Sequence, residues 1–157
     1  MTNPGYPAQP PPSFDPANPP LWAPDYNASF LVAIKRFFQK YAVFNGRASR
    51  SEFWWVFLAL TIVQALFQSQ NASAYNDLLS DPGAGMPSTG GLAALGSLIG
   101  LAVLVPQLAI MWRRLHDTNR SGGWFFLGFT GIGIIVVIIF LALPSKPEGA
   151  RYDVPTP

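Results

Sequence analysis

The chain has 157 residues, of which 50% are hydrophobic and 11% charged, with a mean hydropathy of +0.25. Soluble domains carry about 25% charged residues, so this composition points away from them and toward a membrane class. A net charge of +2 is too small to suggest nucleic acid as a partner, and the lack of cysteine excludes disulfides, thiolate zinc sites, iron–sulfur clusters and haem-thiolate ligation.

Residues 1–29 contain no Lys, no Arg and no continuous apolar run, so no cleavable signal is expected and the first span serves as its own insertion signal. Nine of the sixteen prolines fall in residues 1–24, which read as a solvated, disordered, polyproline-prone tail. From residue 30 to 44 the pattern turns helical. At about 100° per residue, Phe30, Ile34, Phe37, Phe38, Tyr41 and Phe44 share one broad face, and Lys35, Arg36, Gln39 and Lys40 lie opposite. Such a helix is expected in the membrane interface, with aromatics at the acyl boundary and Lys35, Arg36 and Lys40 toward anionic headgroups. Packing of the same helix on a soluble partner is the alternative.

Asn45-Gly46 marks a turn. Ser49 and Glu52 then have capping-box spacing: the Ser hydroxyl can accept from the Glu52 amide, and the Glu carboxylate can reach back to the Ser49 amide. The first spanning helix is therefore expected to start near Arg50. Three stretches, residues 53–69, 91–112 and 124–143, contain no Lys, Arg, Asp or Glu. A bilayer core takes about 20 apolar helical residues to cross. Spans are accordingly expected over about 50–69, 91–112 and 124–143, separated first by a polar loop, residues 70–90, with no basic residue. In the second span, Gly96 and Gly100 have GxxxG spacing for close helix approach, and Pro106 is expected to kink the helix. Gly128, Gly131 and Gly133 would permit a bend or a break in the third.

The fold class expected is thus an all-α membrane protein: three transmembrane helices preceded by an amphipathic interfacial helix and a disordered Pro-rich tail. Its parts are a tail over 1–29, a membrane domain over 30–152 and a short tail over 153–157. Eight of the ten basic residues flank the start of the first span or the connection between the second and third. By the positive-inside rule the amino terminus is then cytoplasmic and, with three crossings, the carboxyl terminus external. Trp54, Trp55, Trp112 and Trp124 all fall at inner ends on this arrangement. A re-entrant third segment would instead return the tail to the inside.

The densest chemistry follows the second span: Arg113, Arg114, His116, Asp117 and Arg120. On a continuing helix Arg113 can meet Asp117, and His116 can meet Arg120. The start of the first span offers Arg47, Arg50 and Glu52 at the same depth. Glu52 is expected to pair with Arg113 or Arg114, and Asp117 with Arg47 or Arg50, because interfacial charges are costly unless paired or hydrated. His116 is the only histidine. A general-base role for it, with Ser49, Ser51 or Ser121 as nucleophile, has no triad spacing or GxSxG behind it. A metal site would need more ligands of its kind. Neither catalytic residues nor cofactors are assigned.

Residues 44–55, Phe-Asn-Gly-Arg-Ala-Ser-Arg-Ser-Glu-Phe-Trp-Trp, and 113–124, Arg-Arg-Leu-His-Asp-Thr-Asn-Arg-Ser-Gly-Gly-Trp, resemble the two signature stretches of a bacterial inner-membrane family, the YhaH-like proteins of domain of unknown function 805. The resemblance covers about residues 30–152; the Pro-rich amino terminus is additional to it. It implies a bacterial plasma-membrane protein with a few helices and supplies no reaction. Three functions compete: a non-enzymatic accessory, assembly or regulatory subunit of a larger membrane complex, a small oligomeric transporter or channel, and an anionic-lipid-binding sensor. The first is preferred for the small size, the small-residue face on the second span and the interfacial helix. The spans lack the intramembrane charge that coupled transport uses. The partners expected are anionic lipid headgroups at the inner face, and other membrane subunits or a second copy.

Overall fold

The computed structural model of the chain describes residues 15, 19–69, 76, 79–81 and 91–153. The disordered reading of residues 1–14 and 16–18, most of the 70–90 loop and the end of the tail, 154–157, lie outside the described residues. Within them all regular structure is helical. Helix α1 spans Phe30–Gln39, α2 Arg50–Ser69 and α3 Gly91–Asp117. A 3-10 helix then spans Gly122–Thr130, α4 Gly133–Ala142 and a final 3-10 helix Pro147–Tyr152.

The capping box forms as its spacing dictates. The Glu52 amide donates to Ser49 Oγ at 3.1 Å, and the Ser49 amide donates to Glu52 Oε2 at 2.9 Å, so α2 starts at Arg50. Helix α3 runs unbroken through the buried Pro106. Gly96 is where it meets α2: a Cβ there would lie 2.9 Å from the Phe67 ring. Gly100, its partner in the GxxxG pair, has open space around it. Among the described residues one helix, over Ala94–Asp117, is long and apolar enough to cross a membrane.

The third stretch is the main correction. Residues 124–143 do not form one spanning helix. A helical break falls at Gly131, whose φ of +74° is left-handed backbone that side chains rarely adopt, and α4 is left with 10 residues. Ten residues of α-helix reach only about 15 Å. The segment leaves α3 at Ser121, turns at Gly131 and comes back: the Lys146 amide donates to Asp117 O at 2.8 Å, and the Gly46 amide donates to Tyr152 O at 2.8 Å. The chain beyond α4 therefore sits at the same end of the bundle as the start of α2, not at the opposite end expected from three crossings.

The amphipathic helix α1 also packs differently from its expected orientation. Ala33, Arg36, Phe37 and Lys40 turn inward, the i, i+3, i+4, i+7 stripe against α2. The cations Arg36 and Lys40 are thus buried while Lys35 remains exposed. Phe30, Phe38, Tyr41 and Phe44 face outward, as an acyl boundary would demand. Apolar packing around Phe37, Phe53, Val56, Ile110, Leu115, Val137 and Leu141 joins the elements. Yet the largest fully buried side chains are Arg113 and Arg114. The fold is apolar outside and carries a polar centre at one end.

Candidate functional site: a buried polar knot

Two arginines organise that end. Arg36 donates from Nε to Glu52 Oε1 at 2.5 Å, and from its other nitrogens to the main-chain oxygens of Pro19 at 3.0 Å, Pro20 at 3.4 Å and Ala23 at 2.5 Å. Arg114 pairs with Asp117 one turn along the same helix. It also donates to the main-chain oxygens of Leu141 at 2.9 Å, of Ala48 at 3.4 Å and of Leu143. Each guanidinium thus takes one carboxylate and three carbonyls, which its planar fork of five N–H groups permits. Arg114 in this way satisfies the carbonyls at the carboxyl end of α4, which have no partner within the helix and favour a cation there.

The first hub holds the amino-terminal segment and the second holds the carboxyl-terminal one. Residues 19–29, expected to belong to a disordered tail, form a strap over the start of α2. Pro19, Ala23 and Ala28 are buried. Ser51 Oγ donates to the carbonyls of Asp25 and Tyr26, each at 3.1 Å, and Ser49 Oγ also reaches Asp25 O. The Ser hydroxyls thus serve as clasps for the strap.

Asp117 gathers the second node. Besides Arg114 it accepts from Ser145 Oγ and from the Tyr26 hydroxyl at 3.2 Å, and Arg47 Nη1 lies 3.9 Å from its Oδ1. Burial, then the Asp117 charge, push the Tyr26 hydroxyl above its usual pKa, so it stays a donor. Arg47 pairs chiefly with Asp153, from Nη2 to Oδ2 at 2.6 Å. His116 Nδ1 lies 3.1 Å from Gly46 O, an acceptor only, so this nitrogen carries the proton. Its ring stacks on Tyr152 at 3.9 Å and 3° from parallel. Gly149 is needed beneath it, since a Cβ there would come within 2.5 Å of His116 O.

The structure wires the expected residues differently. Glu52 pairs with Arg36 and, at 4.0 Å, Lys40, not with Arg113 or Arg114. Asp117 does meet Arg47, though Arg114 is its closer partner; Arg50 stays exposed on the first turn of α2. Arg113 turns back to Ala109 O at 3.2 Å instead of forward to Asp117. Arg120 stacks over the Phe140 ring at 3.9 Å instead of meeting His116. For Glu52 and Asp117 the physical reason is shared, since α1, the strap and the returning tail bring partners that helical spacing does not name; Arg113 finds its acceptor on its own helix and Arg120 its ring on α4. Sequence reasoning missed Tyr26, Ser145, Tyr152 and Asp153. A surplus of carbonyls in a Pro-rich stretch was the one available signal for the strap.

Away from the knot, two grooves open on the apolar flank. One of about 650 Å³ lies between α2 and α3, lined among others by Thr61, Gln64, Gly100 and Gln107. A second of about 460 Å³ lies between α2, α3 and α4, lined by Phe53, Phe57, Ile110 and Ile138 among others.

A chain whose described regular structure is helical, with an outward apolar surface, a helix fit to cross a bilayer and a buried polar cluster at one end, is an integral membrane protein. Residues 41–154 match the family described as protein of unknown function (DUF805), and the chain belongs to this family. It is 32% identical over 117 residues to the inner membrane protein YhaH of Escherichia coli K12, covering 73% of this chain and 87% of the relative. To the inner membrane protein YhaI of the same strain it is 35% identical over 115 residues, 73% of this chain and 86% of the relative. No solved structure matches the chain.

Proposed function

We propose that this protein is a non-enzymatic accessory subunit of a larger membrane complex, and that it receives an apolar helix of another subunit in the groove between α2 and α3. That groove is the observation that carries the reading. It lies along the apolar flank of the bundle, Gly100 leaves room on its floor, and Gln64 and Gln107 line it. Amide side chains at membrane depth favour a partner helix that can hydrogen-bond to them, and small residues let backbones approach. The hub arginines and the carboxylates Glu52, Asp117 and Asp153 are engaged in holding the chain's own two ends, which suits a scaffold.

The orientation proposed differs from the three-crossing one. Helices α2 and α3 cross the membrane, and residues 121–146 dip into the inner leaflet and return. All ten basic residues then flank the cytoplasmic face, a stronger inside bias than the eight that three crossings allow.

The test is capture of the tagged chain from gently solubilised native membranes, with a second capture using Gly100→Leu. A stoichiometric foreign subunit with the natural chain, lost with the variant, is expected. A natural chain that purifies without any foreign subunit would overturn the reading.

A further inference from the structure

The knot is not electrically balanced on its α1 side. Arg36, Lys40 and Arg113 converge on the single carboxylate of Glu52, and Arg36 holds the short contact to it. Asp153 adds negative charge at longer range but is already engaged by Arg47. Lys40 is 3% exposed and Arg113 2% exposed. Among the described residues Lys40 Nζ and Arg113 Nη2 are buried donors without a hydrogen-bond partner. A buried cationic donor left without a hydrogen-bond acceptor is costly for a fold even beside a carboxylate shared with other cations.

The two donors share a seam. Lys40 caps the carboxyl end of α1, and the chain just beyond it lies against α3: the Tyr41 hydroxyl donates to Ala102 O, and Phe44 meets Trp112 edge-on at 5.9 Å. Arg113 follows Trp112 directly. Aromatic residues of this kind mark the headgroup level of a bilayer. Lys40 lies within electrostatic reach of Arg113, and a guanidinium and an ammonium are the two groups that phosphate oxygens select, the first for its fork and the second as a point charge.

We propose that the α1–α3 seam binds an anionic phosphate group between Lys40 and Arg113. One phosphate oxygen on each donor satisfies both buried groups and offsets the surplus charge. The group belongs either to an anionic lipid headgroup or to free phosphate; the two differ in how they reach the seam, not in what holds them there. This site is independent of the groove and of the partner it receives. Its occupant also explains why a cation sits where burial, with Arg113 and Arg36 and against Glu52, pushes the Lys40 ammonium down to about 7: bound phosphate draws that value back up.

The experiment uses the full chain, delipidated in a neutral detergent, and follows thermal unfolding while phosphatidylglycerol, phosphatidylcholine or inorganic phosphate is added. A rise of several degrees with phosphatidylglycerol alone assigns a lipid headgroup; an equal rise with inorganic phosphate assigns the free anion. Lys40→Met should weaken the response at least tenfold in concentration, Lys40→Arg should retain it, and Lys35→Gln, on the exposed face of α1, should leave it unchanged. Native mass spectrometry of the natural chain and Lys35→Gln, with lipid retained by both, reads the site even where Lys40→Met does not fold. No response to any of the three additions, or an undiminished response in a folded Lys40→Met, overturns the proposal.

Discussion

Glu52 does three things with one carboxylate: it caps α2, pairs with Arg36 and lies 4.0 Å from Lys40. Glu52→Gln keeps the shape and removes the charge, leaving buried cations uncompensated. Losing one partner of a buried pair typically costs about 3–5 kcal/mol, and denaturant unfolding in micelles should show a loss of that size. A variant as stable as the natural chain would make the pairing unimportant. Lys40 supplies a pH dependence at the same node. Its folded value of about 7 lies below the ordinary 10.5, so between those values the unfolded chain holds more protons. Stability in phosphate-free neutral micelles should therefore rise with pH across that window, and its cost should be fully present below about pH 7. Thermal midpoints measured from pH 6 to 10 check this, and Lys40→Met should flatten the curve.

Among the elements, the returning tail has the most specific requirement. Gly149 sits where a Cβ would meet His116 O at 2.5 Å and Arg47 Cδ at 3.3 Å. Gly149→Ala should lift the final 3-10 helix from α3, separate His116 from Tyr152 and open the Arg151–Tyr152 bond to trypsin, while α2 and α3 resist. Gly100→Ala is the matching control: nothing lies within 4 Å of its added Cβ, and alanine is the better helix former. Its thermal midpoint should not fall. Limited proteolysis of the two variants beside the natural chain distinguishes them, and an unchanged digest of Gly149→Ala would detach that glycine from the docking of the tail.

For the whole molecule the decisive feature is that both ends of the described chain converge on one knot. A reporter fused after Asp153 should behave as cytoplasmic, as should one placed before Phe30. An external reading at Asp153 would restore the three-crossing arrangement and contradict the hydrogen bonds of Tyr152 and Lys146. The knot also divides the molecule's duties. At one end polar groups are matched within the chain; along the flank, exposed Leu98, Leu101 and Leu104 face outward beside the open α2–α3 groove.

Much of this was legible from residues alone because it depends on local or compositional physics. Hydropathy placed the chain in the membrane, the two signature stretches led to its family, and the Ser49–Glu52 spacing marked the first residue of α2. That the charges beside the apolar helices need partners was legible too. Their partners were not. Which carbonyl or carboxylate a buried arginine meets depends on the strap before α1 and on the tail after α4, segments distant in sequence and weak in periodicity. The third apolar stretch shows the same limit. Its length satisfied a crossing, but whether a glycine-interrupted run crosses or returns depends on what awaits its far end, and here Arg114 and Asp117 offer more to the carbonyls and amides of residues 141–146 than lipid can.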